Sequence, residues 1–182
     1  LVGSEMCIRD RLNNPFVTSG YIAPEYFCDR ERETEELLRW LVNENNVAII
    51  STRRMGKTGL IQHCFHLKEI KENYYTFLID IYATKTLREF VFQLGKVILA
   101  TLKPKGQKAW ELFVNSLVSL KAGFSLDMSG MPQWNLELGD IKSPETTLDE
   151  IFHYLAVSDK PCIIAIDEFQ PVSYTHLTLP TT

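Results

Sequence analysis

Residues 51–58 read STRRMGKT, and this stretch decides the fold class. A short β-branched run at residues 47–50 precedes it, and apolar residues at helical spacing follow from Lys57 onward. A glycine, a lysine and a hydroxyl residue at the start of a helix have the layout of a phosphate-binding loop, whose backbone N–H groups and lysine face the phosphates. The sequence therefore predicts a buried strand, a loop and a helix that together bind a phosphorylated ligand.

Individual residues of this loop suit separate tasks. The Lys57 ammonium suits the β- and γ-phosphates, and the Thr58 hydroxyl suits Mg²⁺. Ser51 replaces the usual first glycine, so the first turn must accommodate a side chain. Arg53 and Arg54 could each pair with phosphate oxygens, pair with a neighbouring carboxylate or point to solvent, and these alternatives stay open. The predicted nucleotide-binding residues of the loop are Ser51, Arg53, Arg54, Met55, Gly56, Lys57 and Thr58.

A second motif lies at residues 161–168, which read PCIIAIDE. An apolar strand that ends in two acids is the arrangement in which one carboxylate holds the Mg²⁺ shell and the next polarises an attacking water. Two solvated acids in a turn are the alternative, but the GKT triplet at residues 56–58 favours the functional interpretation. We therefore predict Thr58 and Asp167 as metal ligands, Glu168 as the catalytic residue, and ATP and Mg²⁺ as the bound species.

The remaining pattern alternates strands and helices, which predicts an α/β fold with a largely parallel sheet. Thr86 is the predicted N-cap of one helix, and Thr146 or Thr147 that of another. The helix that starts at Lys57 is expected to fade by residues 71–73. The other predicted elements are an extended arm at 13–30, helices at 31–41, 86–102, 107–120 and 146–157, strands at 74–82 and 162–166, and a hairpin within 123–138.

Composition excludes several classes of protein. The 182 residues include 19 basic and 23 acidic side chains and are 45% hydrophobic, which is unlike a disordered chain, collagen or a coiled coil. The longest apolar runs are about six residues against the roughly twenty that a membrane span needs, and no export signal is visible, so a cytoplasmic location is expected. A net charge of −4 favours solvated lysines over a nucleic-acid track. The four scattered cysteines are expected to be reduced.

Three further stretches are interpreted without a chemical role. Residues 1–12 and 171–182 resemble translated sequencing-adapter sequence and are expected to be non-native, with a genuine flexible tail as the alternative. His63, Cys64 and His66 have the look of a metal cluster. Because Cys64 falls on the apolar face of its helix and no second ligand pair follows, a structural placement is favoured.

Three motifs in order resemble the archaeal-type AAA+ ATPase family, which is related to the origin-recognition and signalling (STAND) ATPases. They are FCDRERE at 27–33, RRMGKT at 53–58 and IIAIDE at 163–168. The chain is similar to bacterial, Bacteroides-type members over residues 13–170. The resemblance implies an AAA+-like P-loop NTPase domain with a parallel sheet flanked by helices. It also places Arg30 and Glu31 at the mouth of the nucleotide pocket, with the preceding arm near the adenine.

The resemblance further implies that the domain is incomplete after the Asp167–Glu168 motif. In such ATPases a sensor strand, an arginine finger and a helical lid come later, and loss of the finger alone costs about 10³–10⁵ in rate. We therefore expect ATP binding with weak hydrolysis from this segment alone. Alternatives are a nucleotide-dependent signalling or defence switch, a DNA-associated ATPase and a small-molecule kinase. A homo-oligomer or a protein partner is expected for the intact form. Binding of nucleic acid is compatible with the resemblance, although no residue of this chain indicates it.

Overall fold

The computed structural model has an α/β fold that combines six α-helices with a two-stranded parallel sheet and a short hairpin in the residues that it describes. It describes residues 21–27, 29–52, 54–126, 128, 132–134 and 137–169. The helices are α1 (Glu31–Val42), α2 (Lys57–His66), α3 (Lys68–Asn73), α4 (Leu87–Leu102), α5 (Gln107–Ser116) and α6 (Pro144–Ala156). The strands are β1 (Tyr75–Asp80), β2 (Phe124–Leu126), β3 (Pro132–Trp134) and β4 (Cys162–Asp167). Short 3₁₀ turns occur at Pro24–Tyr26, Lys103–Lys105, Val118–Gly123 and Leu138–Asp140.

The chain divides into two units, which we name the N-terminal unit (Leu1–Leu67) and the C-terminal unit (Lys68–Thr182). The loop at residues 51–58 belongs to the first, and the acidic end of β4 belongs to the second. The described helices are too short or too polar to cross a membrane.

The C-terminal unit is built on the parallel pair of β1 and β4. The two strands are in register from Tyr75 opposite Cys162 to Asp80 opposite Asp167. Because side chains alternate along a strand, Tyr75, Phe77 and Ile79 share one buried face of β1. Helix α4 packs against β1 and α6, and α5 packs against α6. The carboxyl ends of β1 and β4 are therefore supported by a well-packed core.

The N-terminal unit is held by a smaller cluster between α1 and α2. Leu37 of α1 and Leu60 and Cys64 of α2 are buried together. Partly buried apolar side chains surround them: Phe27, Leu38, Leu41 and Ile49. This cluster fixes the helix that directly follows the loop.

Several predicted elements are confirmed. Helices α1 and α4, strand β4 and a hairpin between β2 and β3 lie where the sequence predicts them. Thr86 caps α4: its hydroxyl accepts a hydrogen bond from Glu89 N at 3.2 Å, and the Glu89 carboxylate accepts one from Thr86 N at 3.1 Å. This reciprocal pair satisfies two of the donors that a helix start leaves open.

The predicted buried strand at residues 47–50 is wrong. All four residues are described, and none is in a strand. The side chains of Val47 and Ile50 are 41% and 89% exposed, so burial on two faces is also wrong. A β-branched run becomes a strand only when a neighbouring strand satisfies its backbone groups, and no described residue pairs with this one.

Three helix boundaries also differ from prediction. The helix after the loop breaks at Leu67, whose ψ of 142° is extended, and α3 starts anew at Lys68. Helix α5 ends at Ser116, before the predicted residue 120. Helix α6 starts at Pro144 with Ser143 as N-cap, not at Thr146 or Thr147, because proline at the first position lacks only an N–H that has no helical partner there.

Some predictions fall outside the described residues. These are the non-native interpretation of 1–12 and 171–182, the first part of the arm at 13–20, Arg53, and the thiol states of Cys7 and Cys28. Of the other two cysteines, Cys64 and Cys162, both are free, as predicted.

Candidate phosphate loop and acidic strand end

The backbone of the loop turns through left-handed residues on either side of Met55. Arg54 has a φ of 63°, and Gly56 has φ 71° and ψ 25° and forms the N-cap of α2. A left-handed conformation costs a residue with a side chain roughly 1–2 kcal/mol, and glycine avoids that cost. The Gly56 carbonyl accepts a hydrogen bond from Leu60 N at 2.9 Å, which closes the first turn of α2. The N–H groups at the start of α2 are thereby directed toward the loop.

Lys57 folds back into the loop. Its Nζ donates hydrogen bonds to the carbonyl oxygens of Ser51 at 3.0 Å and Thr52 at 3.1 Å. The ammonium group therefore lies beside the first residues of the loop, at the N-terminus of a ten-residue helix whose dipole also favours an anion. The structure therefore brings the Lys57 ammonium and the Ser51 carbonyl together.

The other loop residues have less constrained side chains. Ser51 Oγ donates a long hydrogen bond of 3.4 Å to the Thr52 carbonyl. Met55 and Arg54 are exposed, and Thr58 is half-buried at the second position of α2. Arg54 is exposed, so its pairing with phosphate oxygens, its pairing with a neighbouring carboxylate and its placement in solvent all stay open.

Arg30 contacts the loop from the end of the arm. Its Nη1 donates to the carbonyl oxygens of Met55 at 2.9 Å and Gly56 at 3.3 Å. Its Nε lies 3.5 Å from Oε1 of Glu33 in the first turn of α1. Glu31, the first residue of α1, is exposed. Sequence reasoning placed Arg30 beside the pocket only through the resemblance. Its direct contact with loop carbonyls had no sequence signal, because the partners are 25 and 26 positions away.

Aromatic rings of the arm pack on α2. The Phe27 ring stacks on His63 with centroids 4.2 Å apart, and Tyr21 Oη lies 3.3 Å from His63 Nδ1. Burial, and secondarily the neighbouring His66, lowers the pKa of His63 below its usual value. His66 Nδ1 lies 2.7 Å from the Gln62 carbonyl. These contacts give both histidines packing partners within the N-terminal unit.

The acidic strand end is built by the register of the parallel pair. Asp167, half-buried, is the last residue of β4 and stands opposite Asp80, the exposed last residue of β1. Glu168 follows in a left-handed conformation with φ 54°, and its N–H donates to Asp167 Oδ1 at 2.9 Å. The Asp167 carbonyl accepts from Ile81 N at 3.2 Å, which ties the two strand ends together.

Asp80 is a residue that sequence reasoning missed. Its signal was present, since β1 ends in Ile79-Asp80 as β4 ends in Ile166-Asp167. Asp80 Oδ1 also accepts a hydrogen bond from Tyr82 N at 2.8 Å, so the carboxylate stabilises the turn that follows β1. Two carboxylates at the carboxyl edge of a parallel pair lie where α/β proteins commonly place ligands.

The two clusters differ in chemistry. The loop offers an ammonium, backbone N–H groups and a helix N-terminus, which suit phosphate oxygens. The strand end offers carboxylate oxygens, which suit a hard cation or a polarised water. Among the described residues, no group of three or more histidine, cysteine or acidic side chains is arranged to hold a metal by protein ligands alone.

Comparison of the chain with models of protein families, with curated proteins and with solved structures found no match.

Proposed function

We propose that this chain binds Mg²⁺-ATP on the loop at residues 51–58 and hydrolyses its γ-phosphate, as part of an AAA+-like P-loop NTPase domain. The observation that carries the proposal is the Lys57 ammonium, which donates to the Ser51 and Thr52 carbonyls at the N-terminus of α2. In these contacts only the donor is ionised, and phosphate oxygens can replace the carbonyls with stronger hydrogen bonds in which both partners are ionised.

The fold supports this proposal at a coarser level. The described residues include a parallel strand pair that ends in acids and, elsewhere in the chain, a left-handed glycine at the start of a helix, and both are local structures that P-loop NTPases also contain. Asp80, Asp167 and Glu168 give the strand end more than the one acid that a simple turn would use.

The proposed metal ligands fit Mg²⁺ by their donor chemistry. Mg²⁺ prefers oxygen ligands and is commonly bound by one or two carboxylates together with substrate phosphates and water. The Thr58 hydroxyl and the Asp167 carboxylate are each oxygen donors of this kind, and Mg²⁺ needs no cage made of protein groups alone. When bound, Mg²⁺ would neutralise charge on the β- and γ-phosphates.

Glu168 is proposed to orient the water that attacks the γ-phosphorus. The water oxygen forms a new bond to phosphorus, the bond to the bridging oxygen of ADP breaks, and the water proton passes to a base, for which the exposed Glu168 carboxylate is the candidate. Its glutamine variant keeps the size of the side chain and loses the charge. This variant therefore separates hydrolysis from binding.

The test measures Mg²⁺-ATP affinity and phosphate release for the full chain. We expect Lys57→Ala to weaken ATP binding at least tenfold, while Lys71→Ala, on exposed α3, leaves the affinity unchanged. Glu168→Gln should bind ATP as the parent does and release phosphate at a rate reduced by about 10² or more, with Glu145→Gln as the matched acidic control.

The proposal fails if Lys57→Ala binds ATP as tightly as the parent chain while retaining the parent's circular dichroism. Thr58→Ala provides a second route, because its loss of affinity should depend on Mg²⁺. Equal binding by the parent and Thr58→Ala across Mg²⁺ concentrations would remove Thr58 from the metal site.

A further inference from the structure

The contact between Arg30 and the loop carries a further inference, which rests on the proposed function. We propose that Arg30 is a positioning residue: it holds the phosphate loop in its binding conformation through the Met55 and Gly56 carbonyls and does not itself touch the nucleotide. Sequence resemblance places Arg30 at the pocket, whereas the structure gives its Nη1 a different task.

Arg30 is fixed at its backbone by the start of α1. Its carbonyl accepts hydrogen bonds from Thr34 N at 2.9 Å and from Thr34 Oγ1 at 2.7 Å. Thr34 is buried, so these bonds are shielded from water. At the side chain, Glu33 holds the Nε edge of the guanidinium. A long side chain that is anchored at both ends loses little further freedom when it binds the loop.

Helix α1 is in turn fixed to α2, which follows the loop. Leu37 packs with Leu60 and Cys64 in the cluster of the N-terminal unit. The loop at residues 51–56 is therefore restrained from two directions: by the helix that it leads into, and by a guanidinium carried on the neighbouring helix. Arg30 links the start of α1 to the loop, and the cluster of Leu37, Leu60 and Cys64 links α1 to α2.

The hydrogen bonds from Arg30 help to fix the direction of the loop N–H groups, most directly that of Gly56. In a planar trans peptide the carbonyl and the N–H point in opposite directions, and the described peptides of this chain include no cis bond. The Met55 carbonyl shares its peptide with Gly56 N–H, and the Gly56 carbonyl shares its peptide with Lys57 N–H. Arg30 holds the Met55 carbonyl on its own side, so the Gly56 N–H faces away from Arg30. The Gly56 carbonyl is shared between Arg30 and Leu60 N, so the Lys57 N–H is oriented by both Arg30 and the first turn of α2.

A ligand without a base separates positioning of the loop from contact with the base or ribose. We would measure the binding of Mg²⁺-ATP and of Mg²⁺-tripolyphosphate to the parent chain, Arg30→Gln, Arg30→Lys and Arg39→Gln. Tripolyphosphate can use the loop but offers no base or ribose. Arg39→Gln is the matched control, since Arg39 is an exposed arginine of the same helix whose guanidinium lies over Trp40.

We expect Arg30→Gln to weaken both ligands by the same factor, about ten- to a hundredfold, since two hydrogen bonds from a charged donor are lost. Arg30→Lys should recover part of the affinity, because an ammonium can still reach a carbonyl but not with the same fork of donors. Without any ligand, amide hydrogen exchange at Leu60, whose N–H donates to the Gly56 carbonyl that Arg30 also contacts, should be faster in Arg30→Gln than in the parent. Arg39→Gln should match the parent in every measurement.

Thr34→Val keeps the side-chain shape and removes one of the two bonds that anchor Arg30. It should show the same equal weakening, reduced in size, and it serves if Arg30→Gln does not fold. Weakened ATP binding with unchanged tripolyphosphate binding would overturn the inference, because Arg30 would then contact the base or ribose. Unchanged exchange at Leu60 would overturn it as well. If the parent chain binds neither ligand, the proposed function fails, and the exchange measurement alone decides the role of Arg30.

Discussion

The two units of this chain are stabilised in different ways. In the C-terminal unit, seventeen of the described side chains form one buried cluster around β1, α4, α5 and α6. In the N-terminal unit the corresponding cluster has three buried members, Leu37, Leu60 and Cys64. Because burial of apolar surface is the main stabilising term, the C-terminal unit should hold most of the folding free energy.

The N-terminal unit instead depends on polar contacts of the arm and loop. Arg30 and Lys57 donate to four different carbonyl oxygens of residues 51–56, and Phe27 stacks on His63. Elements that bind ligands are commonly drawn from the less stable part of a fold. The well-packed C-terminal unit therefore carries the acidic strand end, and the lightly packed N-terminal unit carries the candidate phosphate loop.

The largest expected effect is at the centre of the larger core. Phe77 of β1 is fully buried, so Phe77→Ala should reduce the free energy of unfolding by about 3–5 kcal/mol through lost transfer energy and a cavity. Urea denaturation measures the loss. Phe152→Ala, at a 48% exposed position of α6, should change stability by no more than about 0.5 kcal/mol. Equal losses in the two variants would contradict the core assigned to this unit.

The next effect tests the smaller core. Leu60→Ala should cost about 2–4 kcal/mol and accelerate amide exchange in α2, because Leu60 is one of few buried side chains that hold this helix. Exchange in β1, measured in the same sample, should stay slow. Val42→Ala, exposed on α1, is the control. If β1 loses as much protection as α2, the proposed contrast in stability between the two units is wrong.

Two glycines of the N-terminal unit should respond with opposite sign. Gly56→Ala forces a left-handed alanine at φ 71° and should lower stability by about 1–2 kcal/mol. Gly59 is helical, and a Cβ there meets its nearest neighbour, Phe27, at an ordinary 3.8 Å. Gly59→Ala should therefore raise stability by up to about 1 kcal/mol. Thermal melting of both variants checks the pair, and a shift in the same direction would show that loop conformation does not limit the stability of this unit.

Local signals explain most of the fold that could be predicted. The capping box at Thr86 and Glu89 lies within four residues, and β4 is an uninterrupted apolar run, so neither needs distant information. The break between α2, which ends at His66, and α3, which starts at Lys68, had no such signal in the sequence. The apolar positions on both sides continue the same helical pattern, and only the extended backbone of Leu67 divides them.

Missing non-local pairing explains why the strand prediction at residues 47–50 failed. Residues 47–50 have the composition of a strand, but composition does not provide the partner strand whose backbone groups would make the ladder. The candidate site shows the same division. The residue types of the loop and the order of Asp167 and Glu168 are visible in the sequence. The hold of Arg30 on Met55 and Gly56, and the register that places Asp80 opposite Asp167, depend on packing between distant segments.

The smallest expected effect is a pH dependence confined to the N-terminal unit. The folded pKa of His63 is lowered, first by burial and then by His66, whereas the unfolded chain titrates near about 6.5. Below that pH the unfolded state binds more protons than the folded state, so stability decreases as pH falls through about 6.5 and levels off below the lowered pKa. Denaturant midpoints for α1 and α2, followed by Trp40 fluorescence, should therefore be lower at about pH 5.5 than at about pH 7.5.

Removing the imidazole tests whether His63 is the source of that slope. His63→Gln should flatten the pH dependence, because a neutral amide can still pack against Phe27 and lie near Tyr21 but takes up no proton in this range. His153→Gln, in α6 of the C-terminal unit, should leave the dependence unchanged. If His63→Gln keeps the parent's slope, the stacked contact between the arm and α2 does not sense pH. The polar contacts that stabilise the N-terminal unit would then depend on pH no more than the apolar core of the C-terminal unit does.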